Sequence, residues 1–188
     1  HLRWSKFKHL EPGEMLGLFQ TEVFPFIKNM ATASDTTFAR AMADATFIIP
    51  KASLLTQAVE LIEDIPMKDR DTKGDVYEYM LSKLSTAGQN GQFRTPRHII
   101  KMMVELMQPK VKDFICDPAC GTAGFLVAAG EYIRTHQEID YHSADHREHV
   151  NGRLFNGFDF DTTMLRIGSM NMMMHGVENP HIMYKDSL

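Results

Sequence analysis

No stretch of the 188 residues approaches the ~18 apolar, uncharged residues that a membrane-spanning helix requires. The residues after His1 also lack the charged-then-apolar pattern of a secretion signal. A protein of the cytoplasm with no membrane partner is the expectation. Cysteine is scarce, at two residues. Cys116 and Cys120 fall four apart with no second pair to complete a zinc site or a disulfide framework, so both are expected to be small buried residues. Basic excess is missing as well: 20 Lys and Arg face 24 Asp and Glu, for a net charge of −4. A protein that grips DNA by itself usually gains its affinity from phosphate neutralisation, so this chain is not expected to be the part that reads DNA. Repeats and low-complexity tracts are absent. His142, His146 and His149 sit in a charged stretch, Thr135 to Arg153, with almost no apolar face. That stretch is expected to be a surface loop, and no metal is expected there.

What is present centres on Asp117-Pro118-Ala119-Cys120-Gly121-Thr122-Ala123-Gly124-Phe125-Leu126. A short apolar run, Asp113 to Asp117, predicts a buried strand, and the composition from Gly124 to Ile133 predicts a helix. The glycine-bearing turn therefore lies at the carboxyl end of a strand, facing a helix N-terminus, where open α/β sheets bind ligands. Gly121 and Gly124 allow close backbone approach. The N–H groups opening the helix can take a carboxylate or phosphate. Asp117 at the strand tip suits a ligand that also carries a cation or hydroxyls, and would repel a bare pyrophosphate. Nicotinamide dinucleotides call for the three glycines of G-x-G-x-x-G, and this turn carries only two, Gly121 and Gly124.

A second constellation precedes it: Gly91-Gln92-Phe93-Arg94-Thr95-Pro96-Arg97-His98, followed by Ile99, Ile100, Met103, Val104 and Met107 at amphipathic-helix spacing. Thr95 reads as the helix cap, with Pro96 at the first helical position. Arg94, Arg97, Lys101, Lys110 and Lys112 form a local basic cluster, expected to be a solvated face. Earlier still, polar and apolar residues alternate at helical spacing. Helices are predicted at 12–29, with a break at Pro25, and at 35–47, 53–65 and 73–84. Residues 69–74 read as a polar connection and 85–91 as a flexible linker. Two domains are expected, 1–87 and 88–188.

Taken in order, these segments resemble the N-6 adenine-specific DNA methyltransferases, and most closely the modification (M) subunits of type I restriction-modification systems. Gly91 to Arg97 looks like the family's motif X and Asp117 to Leu126 like its motif I. Gly157-Phe158-Asp159, with Met164 to Ile167 and Met170-Asn171-Met172-Met173-Met174-His175-Gly176, is similar to motif II and the helix after it. Asp186-Ser187-Leu188 looks like the start of motif III. Gly74-Asp75-Val76-Tyr77-Glu78-Tyr79-Met80-Leu81 resembles the lead into motif X.

The resemblance implies S-adenosylmethionine as cofactor. Its pocket would be formed by Gln92, Phe93, Arg94, Thr95, Pro96, Arg97, Asp117, Gly121, Thr122, Ala123, Gly124, Asp159 and Asp186. Asp159, closing a second predicted strand from Leu154, would accept the ribose hydroxyls. Asp186 would bond the adenine amino group, and Phe93 to Arg97 would close over the methionine end. Asp161 is expected to cap a helix. The family's catalytic Asn-Pro-Pro-aromatic tetrad does not occur. Asn179-Pro180 is followed by His181 and reads as a turn into a third strand, 181–184, so no catalytic residue can be named and the chain looks like part of a longer enzyme. The implied partners are DNA, a specificity subunit, a second M subunit and a restriction subunit, in a bacterial or archaeal cytoplasm. The fold expected is α/β: a helical N-terminal region, then the first half of a Rossmann-like methyltransferase sheet in the order 3-2-1. A non-catalytic adaptor of the same complex is the alternative.

Overall fold

The structure, a computed structural model, describes residues 2–32, 36–43, 45–65, 70–86, 95–139 and 142–187. By contacts the chain divides into two compact units, His1–Thr72 and Lys73–Leu188. This division counts contacts, whereas the 87/88 boundary follows from composition.

The first unit is helical: α1 (Trp4–Phe7), α2 (Pro12–Leu18), α3 (Phe24–Thr32), α4 (Thr37–Met42) and α5 (Ala52–Glu63). Proline at the first position of α2 loses no helical hydrogen bond, because that N–H has no partner in the helix anyway. A π-helical turn, Phe19–Val23, joins α2 to α3. It accounts for the break expected near Pro25. A proline ring inside an α-helix clashes with the carbonyl four residues back, and here the chain widens just before it, the Phe24 N–H reaching back to the Phe19 carbonyl. Met15, Leu55 and Val59 form the core, with Trp4, Leu10, Phe19 and Phe47 packed around them. Aromatic rings touch in sequence from Trp4 to Phe7, Phe19 and Phe47 at centroid distances of 5.3, 4.9 and 5.9 Å. The predicted helix 35–47 is shorter, because Thr36 caps α4 by accepting the Ala39 N–H at 3.1 Å and Phe47 lies outside regular secondary structure.

Helix α6 (Arg70–Thr86) begins within the stretch expected to be a polar connection and runs into the expected linker. Residues 87–91 lie outside the described residues. Gly74, which suggests a turn, lies in the helix, and packing explains why it is glycine: a Cβ there would run into the His175 ring.

In the second unit α7 (Arg97–Met107) precedes a parallel sheet of β1 (Ile115–Asp117), β2 (Phe155–Asp159) and β3 (His181–Tyr184), in the order β1-β2-β3. Seen from its other edge this is the expected 3-2-1. The register pairs Ile115 with Phe155 and Asp117 with Gly157, then Asn156 with His181 and Asp159 with Tyr184. Helix α8 (Gly124–His136) follows β1 and α10 (Thr162–Met174) follows β2. Leu126, Ile133, Leu154 and Met172 are at most 1% exposed, each worth about 1.5–3 kcal/mol of burial. Gly157 keeps its place in β2 because a Cβ would lie 2.6 Å from Ile182 and 2.9 Å from the Cys120 sulfur. Pro180 is buried directly before β3, in the turn expected from Asn179-Pro180.

The stretch 135–153 is not a loop. It contains α9 (Ala144–Gly152), capped by Ser143, whose hydroxyl accepts the His146 N–H at 3.4 Å. A helix this short can be anchored by one buried side chain, here Val150, so no apolar periodicity announces it. His146 and His149 therefore lie on a helix, and His149 packs edge-on against Phe114.

Candidate functional site

Two strand tips and one turn make the site. Asp117 ends β1 and accepts the Ala119 N–H at 3.1 Å, which bends the chain sharply. The Cys120 N–H donates to the Phe158 carbonyl at 2.9 Å, drawing the turn across the end of β2. Gly121 (φ +50°) and Ala123 (φ +62°) both adopt the left-handed conformation. For alanine this is a strained state, and Ala123, fully buried, is the N-cap of α8. Asp159 ends β2 and holds the turn from the other side: Oδ2 accepts the Gly121 N–H at 3.0 Å and Oδ1 the Asp161 N–H at 2.9 Å. Asp161 caps α10, accepting the N–H groups of Thr163 at 2.7 Å and Met164 at 3.4 Å, as expected. Gly168 of α10 lets that helix approach, since a Cβ there would lie 2.9 Å from the Gly121 carbonyl.

The N–H groups expected to take an anion are those that open α8. Within the turn before it two N–H groups are engaged, Gly121 by Asp159 and Ala123 by the Cys120 carbonyl at 2.7 Å. Backbone in a tight turn satisfies itself first. What remains beside the cavity is the start of α8, where Gly124 and Phe125 form part of the wall.

The cavity over these strand tips has a volume of about 1050 Å³. Its wall carries six carboxylates, Asp75, Glu78, Asp117, Glu131, Asp159 and Asp161, and among the described residues one cation, Arg97. Arg97 lies 3.6 Å from Asp75 and 3.5 Å from Glu131. It bridges α6 and α8 while remaining exposed, as Lys101, Lys110 and Lys112 are. Burial raises the Asp117 carboxyl above the usual range against the opposing bond from Ala119, and the neighbouring Asp159 raises it further. Burial, with Asp117 and Asp159 close by, pushes the Cys120 thiol up to about 12. Such a wall disfavours a pyrophosphate and suits a ligand with positive charge and hydroxyls.

Of the residues singled out from sequence, Thr95, Pro96, Arg97, Asp117, Gly121, Thr122, Gly124 and Asp159 line the cavity. Ala123 lies behind the wall as the helix cap. Gln92, Phe93 and Arg94 lie outside the described residues. Asp186 is exposed two residues beyond β3 and is not among the lining residues. Thr95 does not cap α7. Pro96 does, its carbonyl accepting the N–H groups of Ile99 at 2.9 Å and Ile100 at 3.1 Å. A proline with extended ψ stands just outside the helix as readily as at its first position. Cys120 is buried as expected but Cys116 is exposed, because β1 alternates its faces at a sheet edge. Sequence reading gives no role to Asp75, Glu78, Tyr79 or Glu131. The first three have a signal, the resemblance of 74–81 to the lead into motif X. Glu131 sits mid-helix with none.

Residues 68–188 match the family model described as N-6 DNA methylase. The chain is 29% identical over 174 residues to the methylase subunit of the type I restriction enzyme EcoEI of Escherichia coli, covering 88% of this chain and 35% of that one. It is 35% identical over 114 residues to the EcoKI methylase subunit of Escherichia coli strain K12, covering 59% and 22%. The chain thus spans about a third or less of the length of these curated relatives. Among solved structures, a chain from work on complex assembly and conformational transition of the type I restriction-modification system superposes with a TM-score of 0.70 at 24% identity, over 99% of this chain and 39% of that one. That likeness shows a shared fold. Family match, similarity to type I modification subunits and partial Rossmann-like architecture agree: the chain belongs to the N-6 DNA methylase family.

Proposed function

We propose that this chain carries the S-adenosylmethionine-binding part of a DNA adenine-N6 methyltransferase in a type I restriction-modification complex. The observation that carries the reading is the carboxylate-rich cavity where Asp117 and Asp159 end adjacent parallel strands against the start of α8. S-adenosylmethionine brings a sulfonium, an ammonium and two ribose hydroxyls, groups that carboxylates accept. Asp159 would take the ribose hydroxyls with lone pairs left over from its two backbone bonds, and Asp117 the ammonium. Gly121 to Gly124 would pass beneath the methionine end, with Gln92 to Arg97 closing over it, and Asp186 would take the adenine amino group. Residues 88–188 supply most of this pocket and α6 its rim.

When bound, the cofactor supplies an electrophilic methyl group. An amino group conjugated to an aromatic ring is a poor nucleophile, so the target adenine must be flipped out and its amino group held against that methyl. The 188 residues contain no Asn-Pro-Pro-aromatic tetrad to do so. They are expected to bind cofactor and to transfer no methyl group alone. In the full complex, in a prokaryotic cytoplasm, a specificity subunit would read the DNA, with a second M subunit and a restriction subunit as partners.

Thermal denaturation tests the reading. S-adenosylmethionine or its demethylated product should raise the melting temperature while NAD leaves it unchanged, through linkage to the folded state. Stabilisation by NAD alone would refute it. A folded chain indifferent to all three would favour an adaptor role.

A further inference from the structure

The end of α10 carries a buried polar pair, Asn171 and, one turn on, the C-cap residue His175. His175 fits under Gly74 of α6, its Nδ1 hydrogen-bonded to the Asn171 carbonyl at 2.8 Å. Asn171 is completely buried and reaches two elements distant in sequence. Its Nδ2 donates to the Glu78 carboxylate at 2.6 Å and to the Thr122 carbonyl at 2.8 Å. Both partners are acceptors, which fixes the amide with its NH2 toward them and leaves Oδ1 buried with no partner among the described residues. A polar amide kept at that cost, in a helix that also buries Met164, Gly168, Ser169 and Met172, serves something other than burial. Glu78 and Thr122 both line the cavity, from α6 and from the glycine turn respectively.

We infer that Asn171 is the positioning residue of this cavity, clamping the glycine turn to α6 so that Thr122 and Glu78 present a fixed wall to the ligand. The inference deepens, and rests on, the reading of the cavity as a cofactor pocket. The bidentate donor is the essential feature. The substitution Asn171→Asp is nearly isosteric but sets a carboxylate against two acceptors, whereas a companion Glu78→Gln supplies an amide that can donate to it.

The test uses the 188-residue chain with two readouts, calorimetric titration with S-adenosylmethionine and ligand-free amide exchange in residues 119–124. Asn171→Asp should weaken binding about tenfold or more and speed exchange in the turn. Adding Glu78→Gln should recover part of the affinity. Met172→Ala, removing a buried side chain of the same helix, should lower the melting temperature without either effect. If Asn171→Asp does not fold, Asn171→Ser, which keeps one donor, should show smaller changes of the same sign. Equal losses in Met172→Ala, or unchanged exchange in the Asn171 variants, overturns the inference. Wild-type chain that binds no S-adenosylmethionine, while Asn171→Asp still loosens the turn, would instead sink the cofactor reading and leave the clamp in place.

Discussion

Replacing Asp159 by alanine should cost both stability and affinity. Its carboxylate accepts two backbone N–H groups, Gly121 at 3.0 Å and Asp161 at 2.9 Å. Hydrogen bonds to a charged acceptor contribute ~1.5–3 kcal/mol each. Since Asp159 is only half-buried, the lower end applies, for a total of about 3 kcal/mol. That is a large share of the ~5–15 kcal/mol by which domains are stable. Asp161→Ala removes a helix cap and should cost only about 1 kcal/mol. Asp159→Asn keeps one acceptor oxygen but turns an NH2 toward an N–H group, so roughly half the loss is expected on the same per-bond scale. Urea denaturation of the three variants, with unchanged m-values, gives the comparison. Titration with S-adenosylmethionine gives the second: Asp159→Ala should weaken binding about ten- to a hundredfold if the ribose bonds are charge-assisted. A loss from Asp159→Ala no larger than from Asp161→Ala, in both measurements, would show that the wrong carboxylate had been placed at the centre of the site.

Gly157→Ala should destabilise by about 1–3 kcal/mol in the same urea assay, since its methyl group would meet Ile182 and Cys120 in a packed core. Of the two thiols only exposed Cys116 should react with a thiol-specific reagent at pH 8. Cys120, buried and with its pKa pushed up to about 12, should react only after denaturation. Asp117→Asn should raise the melting temperature at pH 7. The folded-state pKa of Asp117 lies above its ordinary value of 3.8, so its ionisation opposes folding. That penalty is present in full above the raised pKa and disappears as pH falls to the unfolded value. The stabilisation by asparagine should therefore fade through the mildly acid range, and the accompanying loss of cofactor affinity should be largest where Asp117 is ionised and fade with it. A constant gain down to pH 3 would contradict the assignment.

Much of the site can be read from sequence because the chemistry is local. A glycine turn between an apolar run and a helix specifies its own geometry, and Asp117, Gly121, Gly124 and Asp159 meet around one cavity. The parallel order follows from chain connectivity. What escapes is set by contacts between distant segments. Nothing within α6 says that Glu78 will be held by Asn171, and Gly74 looks like a turn residue until His175 is seen beneath it. Helix α9 escapes for the opposite reason, since one buried valine is too little pattern to detect. The cap of α7 is misplaced by one residue because Pro96 satisfies both readings of its position.

The parallel register also sets an order of folding. Antiparallel strands can close through a two-residue turn, but β1 and β2 can pair only after the chain between them, with α8 and α9, has crossed over the sheet. Ile115 must find Phe155 across that whole crossover, and Asn156 must then find His181 across α10. The helical contacts between α2 and its neighbouring turn bridge shorter chain separations. Closure of long loops before any pairing energy returns is what slows such topologies. After a jump from denaturant, helical signal should therefore recover before the buried environment of Cys120 does. Protection of that thiol marks completion of the sheet and of the cavity it frames.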